Sequence, residues 1–373
     1  MAITELEAIP VEMEVKPLDE EGGIAPYISS HNKTYSRQRV LIRLETDDGI
    51  VGWGETRPTL SSTSTKTILE NDVAPEAVGR EIWQIESFLD NFHYEYLNIQ
   101  SVIAGAEMAM WDALGKDLGV PVHQLIGGKC TDSVPFAFCL GILKPDESRE
   151  HARYALNEGF DVLKTKAGLD WQQDVDRIKA MHNEVNGEFE FRLDPNQEWS
   201  LDEAVRVGAN LEDAGIYLQY MEQPIRVDSY GSLKRLRERL RTPIAVNEDT
   251  YHPHNMHLAG REDAIDAAVV DLVPAGGILG LKRIAALASE QGLSVSHHNA
   301  FDLGIKTAAV LHSVSSTPSI NLPPDTIYYA WRDDVISEPL EVRNGTIAVP
   351  DEPGLGIEVD ESKLEQYRID EVA

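Results

Sequence analysis

The sequence predicts an α/β protein: a closed barrel of parallel strands and helices joined to a smaller α+β layer. Three observations predict it. Successive apolar runs each end in a chemically active residue, at Lys164-Thr165-Lys166, Asp194, Glu222, Asn247, Asp271 and His297. Counted from Lys166, the gaps are 28, 28, 25, 24 and 26 residues, the length of one strand, one helix and two short loops. A chain of 373 residues also holds one barrel of roughly 250 residues with an accessory layer to spare.

Residues 1 to about 125 keep no strand–helix rhythm. Val40–Leu44, the turn Thr46-Asp47-Asp48-Gly49 and Val51–Gly54 predict a β-hairpin. From about Ile103 to Leu118 small and apolar residues recur at helical spacing, and Gly119 closes the helix. Strands followed by helices indicate an α+β layer over residues 1–128, with Gly127-Gly128 and Thr131-Asp132 marking its end.

The alternation starts near Val134. Strands are predicted at Val134–Phe138, Val162–Lys166, Phe189–Asp194, Tyr217–Glu222, Ile244–Asn247, Ala268–Leu272 and Leu293–Ser296. Helical patterns such as Trp171–Asn183 and Leu201–Leu211 separate them. Near-continuous apolar strands alternating with helices argue for a parallel sheet covered on both faces. An open doubly wound sheet would give the same local pattern, but strand ends this far apart in sequence share one site only if the sheet closes. The barrel is expected over 129–340. After about Pro339 the rhythm stops, and Pro350–Gly356 is rich in turn residues.

Hydrophobic residues make up 42 %, enough for a sizeable core. No apolar run is long enough to span a bilayer, and the N-terminal stretch carries acids where a secretory signal would carry bases, so a cytoplasmic protein is expected. Cys130 and Cys139 are too few for a disulfide framework or a thiolate metal site. With 63 acids against 33 bases the formal charge is −30, which repels nucleic acid and anionic lipid and excludes both as partners. The bases are 13 Lys and 20 Arg; acid excess with few lysines suits a high-salt cytoplasm whose cations screen the self-repulsion.

Lys164 and Lys166 lie two apart on a predicted strand, so both point to one face. Each is expected to depress the other's pKa, which makes a lysine a usable base near neutrality. Asp194, Glu222 and Asn247 end three successive strands and offer only oxygen, the ligand set that selects Mg²⁺, or Mn²⁺ as a substitute, over Zn²⁺. Glu248 is the alternative third ligand; adjacent strand residues face opposite ways, so one of the pair points inward. Asp271 with His297, or with its neighbour His298, makes an acid/base dyad in which the carboxylate fixes the imidazole tautomer. Together these groups form a site for removing a proton next to a carboxylate.

At these residues the chain resembles the enolase superfamily, in the mandelate racemase branch and closest to glucarate dehydratase-type acid-sugar dehydratases. The motifs that carry the resemblance are LKTK (163–166), RLDPNQEWS (192–200), Glu222-Gln223-Pro224 and PIAVNED (243–249). It continues through VDLVPAGG (270–277), SHHNAFDLG (296–304) and EPLEVRNGTIAVPDEPGLGIEVD (338–360). The resemblance implies a (β/α)₇β modified TIM barrel, an N-terminal capping domain, and a C-terminal segment (341–373) that returns to the cap. It also implies a homo-oligomer. By motif, Asp194, Glu222 and Asn247 match the metal ligands, Lys166 one acid/base, Lys164 the lysine that stabilises an enediolate, and Asp271 with His297 the opposing dyad. The spacing from Asp271, with Asn299 two residues on, favours His297 over His298. Asn196, Asn299 and His31 match substrate-binding positions. Three departures concern substrate recognition: Cys139 stands where the family has Tyr, Ile327 where it has His, and the chain stops at Ala373, before an extension that supplies an Arg. The implied activity is Mg²⁺-dependent dehydration of a sugar acid to a 2-keto-3-deoxy acid. A racemase or epimerase, or a sugar-acid binding protein, are the alternatives.

Overall fold

The computed structural model describes residues 1–92 and 99–369; residues 93–98 of the expected cap and 370–373 of the expected tail lie outside the described residues. Strand β1 (Ile3–Glu14) leads into a small hairpin, β2 (Tyr27–Ile28) and β3 (Lys33–Thr34), then into β4 (Ser36–Thr46) and β5 (Val51–Thr56). β1 and β4 pair antiparallel from Ile3↔Thr46 to Glu14↔Ser36, and β5 folds back on β4 across the expected turn. Helix α1 (Gln100–Leu118) lies across this sheet and ends at Gly119 in the left-handed conformation (φ 66°). Its small residues permit close approach: a Cβ on Gly54 would stand 1.9 Å from the carbonyl oxygen of Gly105.

The barrel strands are β7 (Ala137–Leu140), β8 (Val162–Lys166), β9 (Glu190–Asp194), β10 (Tyr220–Glu222), β11 (Ile244–Val246), β12 (Ala267–Val270), β13 (Ser294–His297) and β14 (Asp325–Thr326). Neighbours pair in parallel in chain order, and β14 returns to pair with β7. Between β13 and β14 the circle is completed by the loop before β14, where Asn321 and Leu322 both donate backbone N–H to Val295 O, at 3.0 and 2.9 Å. The sheet closes. Helices α2 (Pro145–Asn157), α3 (Trp171–Glu184), α4 (Leu201–Asp213), α5 (Tyr230–Arg237), α6 (Pro253–Arg261), α7 (Ile278–Glu290) and α8 (Gly304–Ser315) alternate with these strands. The start of α4 shows how sequence sets a boundary. Ser200 accepts the Glu203 N–H, and Glu203 returns a carboxylate to the Ser200 N–H, a reciprocal cap written as S-x-x-E.

Two departures from expectation are local. The first predicted strand splits, because Ser133–Pro135 (β6) joins a separate sheet with β15 (Val342–Arg343) and β16 (Thr346–Ala348). The first part of the 341–373 segment therefore stays on the barrel, paired with β6. The later part reaches the cap: the Leu355 N–H donates to Asp112 Oδ1 of α1 (2.8 Å), and helix α9 (Glu361–Tyr367) is followed by an Ile369 N–H bond to Pro10 O on β1.

Cap and barrel are joined through buried acids. Neither α7 nor α8 has a side-chain cap of its own. Glu107 of α1 accepts the N–H groups of Ile278 and Leu279 at 2.9 and 3.0 Å, at the start of α7. Glu55 of β5 accepts those of Leu303 and Lys306, both at 2.8 Å, at the start of α8. Each carboxylate satisfies two of the unpaired donors that a helix N-terminus presents and sits at the positive end of its dipole.

Candidate active site

Side chains alternate along a strand, so one residue of known direction fixes the rest. Tyr220, Ala245, Ala267 and Val269 pack together inside the barrel. Two residues on from these positions come Glu222, Asn247 and Asp271, at the mouth. On β13 the inward residue is Ser296, which donates to Pro323 O (2.9 Å) and lies 3.3 Å from Arg192 Nη1 in the barrel interior. The same alternation sends His298 inward and His297 outward. The structure accordingly corrects the sequence choice between them. His298 lines the mouth cavity and places Nδ1 3.2 Å from Asp271 Oδ2. His297 is buried outside it, accepting the Leu272 N–H on Nε2 (3.2 Å), and burial pushes its pKa down to about 3. Spacing across a helix could not decide this, because helix and loop lengths carry no information on strand parity.

Lys164 and Lys166 both point into the barrel from β8. Lys164 Nζ lies 2.7 Å from Glu222, 2.7 Å from Asp325 and 3.2 Å from Asp194, all buried. Burial works against its charge, yet the three carboxylates hold its pKa well above the ordinary lysine value. The expected depression by Lys166 is overturned here: the surrounding acids outweigh one like charge. Lys166 Nζ bonds Asp194 Oδ2 (2.6 Å) and Asn196 Oδ1 (2.8 Å). Burial raises the Asp194 pKa, but the two lysines bring it below the usual carboxylate range, whereas burial and the Asp194 charge push Glu222 up.

Asp325 was not anticipated. It comes from the two-residue strand β14, pairs with Lys164 and with Arg192 (3.0 Å), and lines the cavity. Its short strand lacks an apolar run; the one available signal was that it stands 27 residues after His298, in step with the earlier gaps. Lys306 of α8 was also missed. It bonds Asp271 Oδ1 (2.8 Å) and Asp302 (2.9 Å), and with His298 it holds Asp271 well below the carboxylate range despite complete burial.

Among the described residues no group of three His, Cys, Asp or Glu side chains is arranged to hold a metal ion. The oxygen set here is two carboxylates and an amide. Asp194 and Glu222 flank one ammonium. Asn247 lines the cavity, with Nδ2 donating to Val269 O (2.8 Å) and Oδ1 accepting the Tyr251 hydroxyl (3.1 Å). This orientation turns the amide oxygen, not the nitrogen, toward Tyr251 and leaves it a second lone pair. Glu248 points elsewhere, accepting Asn196 Nδ2 at 3.3 Å on Oε1, while its Oε2 is buried without a hydrogen-bond partner. Two buried acids flanking one ammonium, plus a neutral oxygen, fit a hard divalent cation.

Above these groups is a cavity of about 590 Å³ between barrel and cap. Lys164, Lys166, Asn196, Asn247, His298, Asn299 and Asp325 line the barrel side. His31, in the loop joining β2 and β3, lies 3.0 Å from Asn196 O and 3.1 Å from Glu198, so the hairpin rests on the barrel rim. Asn299 faces the cavity and accepts the Phe301 N–H (2.9 Å), which shapes the loop after His298. Cys139 and Ile327 line it too.

Residues 12–127 match the mandelate racemase / muconate lactonizing enzyme N-terminal domain, and residues 147–363 match the enolase C-terminal domain-like family. The chain belongs to the enolase superfamily. Within it, the chain is 28% identical over 338 residues to the L-Ala-D/L-Glu epimerase of Bacillus subtilis, covering 89% of this chain and 92% of the epimerase. It is 27% identical to the arabinonate dehydratase of Saccharolobus solfataricus, covering 88% and 90%. A crystal structure of an enolase from Streptomyces coelicolor superposes with a TM-score of 0.87 at 32% identity, covering 98% of this chain and 96% of that one. Superfamily relatives at 25–28% identity thus include acid-sugar dehydratases, epimerases and cycloisomerases, and the fold is the cap-and-barrel fold of the superfamily.

Proposed function

We propose that this protein is a hydro-lyase that dehydrates a sugar acid, an aldonate or aldarate, to a 2-keto-3-deoxy acid with Mg²⁺. The observation that carries the reading is that Lys166 and His298 open onto one cavity that Lys164 and Asn247 also line, with Asp271 buried behind His298 and Asp194 and Glu222 buried behind the lysines. Asp194, Glu222 and Asn247 would hold the cation, which when bound lowers the cost of charging the substrate carboxylate as its α-proton leaves.

The residues divide the work by environment. Lys164, encircled by acids, keeps its proton, so it serves as a fixed positive charge beside the developing enediolate. Lys166 or His298, according to the configuration at C2, takes the α-proton. With Asp271 ionised, the His298 proton sits on Nδ1 and leaves Nε2 toward the cavity, where it accepts a proton or returns one to the departing 3-hydroxyl. Asn196 and Asn299 contact the substrate, and His31 closes the hairpin over it. The arabinonate dehydratase relative supports this reaction class.

The test is a screen of mono- and dicarboxylic sugar acids with Mg²⁺ at high salt, assayed for keto-acid product. Keto acid from at least one acid is the expected result. The two bases facing one space also suit a racemase or epimerase. Deuterium at C2 of recovered substrate with no keto acid would establish that reading instead. Binding with neither product nor exchange would make this a sugar-acid binding protein.

A further inference from the structure

The cap side of the cavity carries two arginines that the chemistry above does not use. Arg37, on β4, and Arg57, just after β5, both line it and are half-buried. In a chain with 63 acids and 33 bases, neither has a carboxylate within ion-pairing distance among the described residues. Arg39, between them in sequence, is spent differently: it donates to the carbonyl oxygens of Ala300 and Phe301 and approaches Glu55 at 3.7 Å.

Arg37 and Arg57 are held by their faces. The Arg37 guanidinium stands 5.0 Å from the Phe301 ring centre and donates once, to Asn32 Oδ1 at 3.3 Å. The Arg57 guanidinium stands 5.3 Å from the Tyr251 ring centre. Stacking on a ring occupies the face of a guanidinium and leaves its edge donors free for a planar anion. The carboxylates nearby are already engaged. Asp271 is shared by Lys306 and His298, Asp325 by Lys164 and Arg192, and Glu12 receives the Ser36 hydroxyl. Burial also lowers the Arg37 pKa, as it does for a cation lacking a counter-charge.

Resting on the reaction proposed above, we propose that Arg37 and Arg57 form a cap-side anion subsite for a second acidic group, at the end of the substrate remote from the reacting carboxylate. The preferred substrates are then dianions, sugar diacids before monoacids. One carboxylate lies at the barrel mouth near Lys164 and the other meets guanidinium edges under the cap.

The experiment compares D-gluconate, D-glucarate and D-galactarate, with 6-phosphogluconate as the phosphorylated arm, using the full chain with Mg²⁺. Diacids should exceed monoacids in kcat/KM by roughly 100-fold, and Arg37→Gln or Arg57→Gln should shrink that ratio by about 10-fold or more, chiefly through KM. Arg→Lys at either position should retain part of it. Preference for 6-phosphogluconate over both diacids would keep the subsite and assign it to a phosphate. Monoacids matching dianions in the wild type, or a ratio unmoved in both Gln variants, would overturn the proposal. If no acid turns over, the proposed reaction fails by itself and the subsite is judged by calorimetry. D-glucarate binding about 10-fold tighter than D-gluconate, with the gap lost in the Gln variants, supports the subsite; equal binding rejects it.

Discussion

Lys306 Nζ lies 2.8 Å from Asp271 Oδ1, while His298 takes the other oxygen of the same carboxylate. The Asp271 side chain is thus fixed at both oxygens before any substrate arrives. Lys306 is buried and absent from the cavity wall, so it is a positioning residue that acts through Asp271. Lys306→Met should lower kcat with little change in KM. Removing a buried cation favours protonation of its neighbours, so the acidic limb of the pH–rate profile should move to higher pH. A purely structural role would lower the melting temperature and leave the shape of that profile unaltered.

Strand parity separates the two adjacent histidines. His298→Asn should reduce turnover by about 10²–10⁴-fold with the fold retained. His297→Asn should keep turnover within about tenfold and cost about 1–3 kcal/mol of stability, through the lost bond from the Leu272 N–H. The reverse pattern, measured on purified variants with the same acid, would return the dyad to His297.

Asn247 sets the charge of the oxygen set. In Asn247→Asp a carboxylate oxygen would face Val269 O, where Nδ2 now donates, so the variant should melt below wild type in chelator. A third negative charge should also strengthen cation binding, so added Mg²⁺ should raise its melting temperature more than that of wild type. Equal Mg²⁺ shifts in the two proteins would remove Asn247 from the oxygen set.

Glu55 has its pKa pushed up to about 7, by burial first and then by the charge of Asp302. Its folded form therefore keeps a proton that the unfolded chain loses near pH 4.5. Stability from this group is present below that point and is lost as pH rises toward 7. Glu55→Gln cannot follow this titration. The wild type's advantage over the variant in urea unfolding should shrink between pH 5 and pH 7.5. A constant or widening gap would mean that Glu55 is ionised throughout.

The barrel was legible because its signal is periodic. Strand β8 falls at the expected Val162–Lys166, and helices α3 and α4 start at the expected Trp171 and Leu201. The polar strand ends were legible for the same reason, since Lys164, Lys166, Asp194, Glu222, Asn247 and Asp271 each close an apolar run. Asp325 escaped because β14 has two residues and no run to close. Lys306 escaped because it sits on a helix, where no strand-end rule applies, and its role comes from a contact 35 residues away in sequence. The histidine error had a different origin. Ser294, Val295 and Ser296 already showed polar–apolar–polar alternation, and reading parity from them would have chosen His298.

Glu55 and Glu107 fasten the cap to the starts of α8 and α7 through four backbone N–H bonds, three of them buried. Swinging the whole cap away would strip both acids of those donors at once, a cost far above that of moving a surface loop. The short β2–β3 hairpin is tied to the rim more lightly, by the Ile142 N–H donating to Ile28 O (2.7 Å), by Ser30 Oγ donating to Pro195 O (3.3 Å) and by His31 beside Asn196 O (3.0 Å). Loosening those rim bonds should change entry and exit rates, and so turnover, without disturbing a single group that handles the proton.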